Sequence, residues 1–305
     1  MIAAKPLPLS IRHPQSTLRL PQATYRPKRM PMTVAVGFVY DDGLVFCADT
    51  KIDYPVKGNE SKLPFLTFDN GRCALQFAIA GNDINFPKSA ITRCAEAIEK
   101  MDFSTATMDG IKNIAEFSLA EFYRDHIYPH PDRMPTQLYI QMLVGIWWRN
   151  ETRLYALHET VLLRVEKFEC IGAGEYLSKY LIKQYERANT APFTLTDAAF
   201  LADYCVREAI DYDDKCGGEA EIVVMRNSGE IDSGYRTALY PNYDLPKKFQ
   251  DETWRLLRNL GEAQMRGRAN REAPEIVSGF CERIREADTE SRRLESRDFP
   301  ENSPE

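Results

Sequence analysis

Short apolar runs broken by turn dipeptides alternate along the chain with stretches of helical period. The first run, Thr33-Val34-Ala35-Val36-Gly37-Phe38-Val39-Tyr40, turns at Asp41-Asp42-Gly43 and returns as Leu44-Val45-Phe46-Cys47-Ala48-Asp49-Thr50-Lys51. Both arms are rich in Val, Phe and Leu, and the Asp-Gly pair between them is a strong hairpin signal. Cross-strand neighbours lie about 5 Å apart, so the hairpin returns Asp49 to Thr33 or to within a register step or two of it. A second hairpin is predicted from Lys62–Phe68 and Arg72–Ala80 around the Asn70-Gly71 pair, with Gly81 closing it.

Helical spacing follows. Ala90, Ile91, Cys94, Ala95 and Ile98 mark a helix over Asn85–Met101. Thr107 caps a second one to about His126, with Ile111, Ile114, Ala115, Leu119 and Phe122 as its apolar stripe. Strands resume over Leu138–Trp148, Thr152–His158 and Val161–Ile171, the last ending at Gly172-Ala173-Gly174. Helices are expected over Glu175–Arg187 and, behind a cap at Thr196, over Asp197–Tyr212. Asp213-Asp214-Lys215-Cys216-Gly217-Gly218 leads to a last hairpin, Glu219–Met225 with Glu230–Ser233.

Strands, two helices, strands, two helices, strands is the resulting order. Hairpins join most strands, so the sheets should be antiparallel. Two sheets stacked between two helix pairs cover every apolar face, which predicts an α+β, four-layer αββα sandwich. From Leu245 the pattern changes. Phe249–Leu260 and Pro274–Ala287 read as further helices, and the charged end, Asp288–Glu305, is expected to fray. The chain divides accordingly into an arm (1–32), a sandwich (33–244) and a helical extension (245–305).

Composition changes this picture only at the beginning. Residues 1–31 hold six prolines and six Lys or Arg and no acidic residue, a composition that cannot easily build a core. Three readings fit: a propeptide, a targeting arm, or an untranslated stretch with the true start at Met30 or Met32. The first and third are favoured. Over the whole chain, 44% hydrophobic and 28% charged content is that of an ordinary globular protein. A net charge of -6 argues against general nucleic-acid binding, and no apolar run is long enough to span a membrane. Seven scattered cysteines without a CxxC pair read as reduced thiols, and four scattered histidines offer no metal cluster. A cytoplasmic protein without a cofactor is expected.

From Thr33 to Ser233 these features resemble the proteasome β-subunit superfamily, which includes the HslV peptidase and the Anbu proteins. That family opens its mature chain with Thr, and a strand ends in Ala-Asp-Ser/Thr-Arg/Lys. Thr33 and Ala48-Asp49-Thr50-Lys51 fit with the same interval. Lys62 stands where the family has a catalytic lysine, after a shorter loop. Ala80-Gly81 matches an Ala-Gly strand end. Gly172-Ala173-Gly174 and Asp213–Gly218 stand where the family has Gly-Ser-Gly and Asp-x-x-Ser-Gly-Gly. Ala173 and Cys216 each replace a serine.

The resemblance implies an N-terminal-nucleophile hydrolase. Thr33 would be both nucleophile and, through its own α-amine, base, on condition that it begins the mature chain. A free α-amine has a pKa of about 8, so a useful fraction is basic at neutral pH. Lys62 would lower that pKa, Asp49 would hold Lys62, and Asp213 would orient the amine. The Gly81 N–H would stabilise the oxyanion, with Cys216 a supporting residue behind. Implied partners are a peptide or unfolded protein as substrate, further copies of the chain in a ring or helical homo-oligomer, and an ATPase unfoldase. Two rivals stand beside the peptidase: a small-substrate amide hydrolase on the same fold, and a non-catalytic structural subunit that keeps its arm.

Overall fold

The computed structural model describes residues 33–52, 58–81, 83–130, 140–188, 191–235, 245–266 and 268–298. The arm (1–32), the first residues of the predicted strand at 138–139 and the tail at 299–305 lie outside the described residues.

The opening hairpin forms as β1 (Val34–Tyr40) and β2 (Gly43–Asp49). A short ladder, β3 (Lys51–Ile52) with β4 (Gly58–Asn59), stands where a loop is expected. The Asn-Gly hairpin becomes β5 (Phe65–Phe68) and β6 (Cys73–Gly81), with Asp69, Asn70 and Gly71 all at positive φ in the turn. Next come α1 (Asn85–Glu99) and α2 (Met108–Phe122), the latter capped by the Thr107 hydroxyl, which accepts the Gly110 N–H at 3.0 Å. A wider turn of π-helix, Tyr123–Ile127, extends α2.

The strands β7 (Ile140–Trp148) and β8 (Glu151–His158) follow. The single run expected over Val161–Ile171 is two strands, β9 (Val161–Val165) and β10 (Phe168–Gly172). β9 pairs with β8 and β10 pairs with β1, so the chain changes sheets at the polar pair Glu166-Lys167. An apolar run has no mark that says which sheet it belongs to, and only the polar break signals the crossing. After α3 (Glu175–Ala188) comes α4 (Leu195–Tyr212), whose cap is Thr194 instead of Thr196. Asp197 then stands at the third helical position, where its carboxylate accepts the Thr194 N–H at 3.1 Å and closes a capping box. The last hairpin is β11 (Ala220–Arg226) with β12 (Ile231–Tyr235).

One five-stranded sheet runs β10-β1-β2-β11-β12 and the other β5-β6-β7-β8-β9, all neighbours antiparallel. Leu44, Phe46, Leu63, Leu143, Leu154, Val223 and Met225 fill the space between the sheets. Phe77, Ile98, Ile111 and Leu119 seal α1 and α2 onto the second sheet. Phe38, Phe193, Leu201 and Val206 seal α3 and α4 onto the first. Burying each large side chain is worth about 1.5–3 kcal/mol, and this four-layer α+β sandwich buries three apolar layers of them. Trp147 and Trp148 belong to these layers. The Trp147 indole donates to the Asn227 carbonyl at 2.8 Å.

Beyond the sandwich, α5 (Leu245–Met265) and α6 (Ala269–Asp298) pack on each other, joined by an ion pair from Arg283 to Glu252. Helix α6 continues to Asp298, through a segment expected to fray.

Candidate active site

The β1–β2 register sets Ala35 opposite Ala48, so Asp49 comes one step further on, against Val34. Its carboxylate is the centre of the site. Oδ1 accepts the Val34 N–H at 3.0 Å and the Lys62 Nζ at 2.9 Å, while Oδ2 accepts the Gly217 N–H at 3.0 Å. Lys62 arrives from the other sheet. Its carbonyl accepts the Ile79 N–H at 3.0 Å, which carries the β5–β6 pairing beyond Phe65 to the lysine. Asp49 is 0% and Lys62 3% exposed, so the pair is a buried ion pair linking the two sheets.

Such a pair survives only if its remaining polar capacity is met, because removing two charges from water costs several kcal/mol each. The two backbone N–H donors on Asp49 meet that need. Burial pushes the Asp49 carboxyl above its ordinary range, and the Lys62 ammonium with the Val34 and Gly217 N–H groups opposes the rise.

Two glycine-containing loops close over the start of β1. The buried Thr33 has its carbonyl held by the Ala173 N–H at 2.6 Å. Gly172 sits at φ +93°, and a Cβ there would collide with that same carbonyl. The second loop, between α4 and β11, runs alongside β2 and β3. The Lys51 N–H donates to the Gly217 carbonyl at 2.9 Å, and the Glu219 N–H donates to the Thr50 hydroxyl at 2.9 Å. Cys216 joins the loops, with the Gly174 N–H directed at its sulfur. Burial, helped by the nearby Asp49 and Asp213 carboxylates, pushes its thiol up to about 12. It is therefore a neutral packing group at physiological pH and not a nucleophile.

Thr33, Asp49, Lys62 and Cys216 are thus drawn into one cluster from positions far apart in the chain. Gly81 ends β6, two residues beyond the Ile79 that holds Lys62, and β6 packs across from β1. Asp213 closes α4, its N–H bonded to the Ala209 carbonyl and its Oδ1 accepting the Lys215 N–H at 3.0 Å.

No family model matches the sequence, and no curated protein matches it either. Solved structures do match. Anbu (ancestral beta-subunit) from Yersinia bercovieri superposes with a TM-score of 0.59 at 15% identity, covering 73% of this chain and 94% of that one. A helical assembly of the Anbu complex from Pseudomonas aeruginosa gives 0.58 at 17%, covering 74% and 96%. Anbu from Hyphomicrobium sp. strain MC1 gives 0.52 at 17%, covering 65% and 84%. The fold is that of the Anbu proteins.

Within this Anbu fold two polar groups escape sequence reading. The Gly217 N–H on Asp49 belongs to a glycine pair that the family resemblance singles out, but with no sign in the sequence of which group its N–H meets. Gln141, inside an apolar strand, carries no signal at all, yet its Oε1 accepts the Gly172 N–H at 2.7 Å. It lines a cleft of about 810 Å³ together with Tyr128, Leu163, Glu175, Tyr176 and Lys179.

Gly172→Ala is expected to displace the Thr33 carbonyl, since left-handed backbone already costs a non-glycine residue about 1–2 kcal/mol before any collision. The urea midpoint should fall. An unchanged midpoint would mean that the loop does not hold Thr33 as described.

Proposed function

We propose that the chain is a threonine-type peptidase in which Thr33, once it is the first residue, attacks a peptide carbonyl. The buried Asp49 carboxylate carries this reading, because it holds Lys62 and the backbone beside Thr33 at the same time. The α-amine of Thr33 takes the hydroxyl proton as the oxygen adds to the carbonyl. The Lys62 ammonium, a like charge, keeps that amine in its basic form. Asp213 orients the amine, and the Gly81 N–H donates to the oxyanion. The amine returns the proton to the leaving nitrogen. Water then hydrolyses the acyl-threonine ester by the same base, and no cofactor takes part. Self-association follows the lead of the similar Pseudomonas aeruginosa protein, solved as a helical assembly. Peptides or unfolded proteins would be the substrates, in the cytoplasm, with an ATPase unfoldase as a candidate partner. Among the described residues no helix is long and apolar enough to cross a membrane.

Ala173 favours one second reading, a non-catalytic structural subunit, because it offers no hydroxyl to the amine of Thr33. The mature N-terminus separates the two. Mass spectrometry of purified protein should find a chain beginning at Thr33 that turns over fluorogenic peptides. An intact Met1 and no Thr33 start would remove the peptidase reading. Turnover of small amides in place of peptides would move the substrate class to the amide-hydrolase alternative.

A further inference from the structure

Thr33 immediately precedes β1, and β1 lies between β10 and β2 in its sheet. In the opposite sheet β6, ending on Gly81, lies beside β7 on one side and the extended β5 on the other. The Lys62–Asp49 pair links the sheets on the β5 and β2 side. Gln141 links them on the other. It stands on β7 opposite Ala80, the residue before Gly81, and its Oε1 accepts the N–H of Gly172 at the end of β10. The next residue, Ala173, donates to the Thr33 carbonyl. Val34 itself pairs with Gly172 in the β1–β10 register.

We propose that Gln141 is a positioning residue, the second of two clamps that set the separation between Thr33 and the Gly81 strand end. This rests on the peptidase reading above for its catalytic consequence, and on the geometry alone for the clamp. A carboxamide suits the position because it presents an acceptor to Gly172 and a donor to the other side. The donor end faces the Glu175 Oε2, at a long 3.5 Å. Glu175 is held by Lys179 at 2.7 Å, and Lys179 by Glu169 at 2.6 Å. Glu169 and Glu175 flank the glycine loop on β10 and at the start of α3, so the chain of contacts leads back to the loop that Gln141 anchors. Ala173 adds no hydroxyl to this loop, whose holds are its backbone bonds, the Cys216 sulfur on the Gly174 N–H, and Gln141 on the Gly172 N–H. A leucine at 141 would fill the space and orphan the Gly172 N–H.

The test uses the purified protein with three variants: Gln141→Leu, Gln141→Met, and the exchanged pair Gln141→Glu with Glu175→Gln. The exchanged pair keeps an acceptor on Gly172, an amide–carboxylate contact and the net charge. Hydrogen-exchange mass spectrometry over residues 168–176 reads the clamp, and peptide turnover reads its consequence. Gln141→Leu should exchange the loop amides at least about tenfold faster. It should lower kcat roughly 10- to 100-fold with KM near its original value, the expected cost of misplacing a nucleophile by about an ångström. Both effects should recur in Gln141→Met, which also serves if the leucine variant fails to fold, and both should be largely reversed in the exchanged pair. Unchanged exchange in the single variants overturns the clamp. Faster exchange with unchanged kcat overturns the positioning role, as does a kcat loss that the exchanged pair does not restore. If the unsubstituted protein turns over no peptide, the peptidase reading fails separately, and the clamp is decided by the exchange alone.

Discussion

Thr33→Ala is expected to reduce peptide turnover by about 10³-fold or more while leaving folding and assembly unchanged. In the proposed mechanism the substitution removes the hydroxyl that would form the acyl bond, and neither the amine nor Lys62 would take its place as an acyl acceptor on the same path. The backbone is undisturbed, because the bond from the Ala173 N–H goes to the Thr33 carbonyl and the bond from the Val34 N–H goes to Asp49. Fluorogenic peptide assays with light scattering on the same sample check both halves. Thr33→Ser, which keeps a hydroxyl, should retain part of the activity. Turnover unchanged in the alanine variant would refute the nucleophile assignment outright.

The second large effect concerns stability. Lys62→Met should cost about 3–5 kcal/mol at neutral pH, because it leaves the Asp49 carboxylate buried without its counter-charge. Equilibrium urea unfolding measures it. The pH dependence has a definite sign. Burial already holds the Asp49 carboxyl above its ordinary range, and loss of the ammonium raises it further. A carboxyl whose native pKa exceeds its unfolded value of about 3.9 binds its proton more tightly in the folded chain. The associated stability is present below that unfolded value and is lost as the pH rises through the native one. The variant should therefore regain stability on acidification towards pH ~4, more than the parent does. The double variant Asp49→Asn with Lys62→Met should recover most of the neutral-pH loss, since removing both partners of a buried pair leaves no orphaned charge. A single variant as stable as the parent at pH 7 would mean that the two groups are not the buried pair described.

Much of this protein was legible along its chain. The Asp-Gly and Asn-Gly pairs mark two hairpins where they stand: Asn70 and Gly71 take the positive φ of their turn, while the first hairpin turns on Asp41-Asp42 and Gly43, at φ +151°, opens β2. Thr107, with its hydroxyl on the Gly110 N–H, started α2 as read. Strand and helix order was enough for the four-layer α+β sandwich, since two apolar sheet faces need two helical layers to cover them. Where two signals of one kind stood close together, the reading slipped. Thr194 and Thr196 both precede Asp197, and only the capping box chooses between them. The apolar run 161–171 concealed a change of sheet.

By itself, then, the sequence determined most of the elements, their layering and the pairing of the strand after Thr33 with that of Asp49, all products of local turn chemistry and apolar period, but not the β3–β4 ladder or the split of 161–171 between two sheets. The pairing of Asp49 with Lys62 was readable from the family resemblance, whereas tertiary structure alone decided which backbone groups meet the Asp49 carboxylate and what fixes Thr33. Gly217 reaches Asp49 from 168 residues away, and Gln141 reaches Gly172 from a strand that reads as plain core. Such bonds join a backbone N–H or a carboxamide to a distant partner, and their directions are set only once two sheets have stacked. No residue pattern records which groups they join, because every residue except proline can supply a backbone N–H, and a lone polar side chain in an apolar strand shows its purpose only beside the group it satisfies.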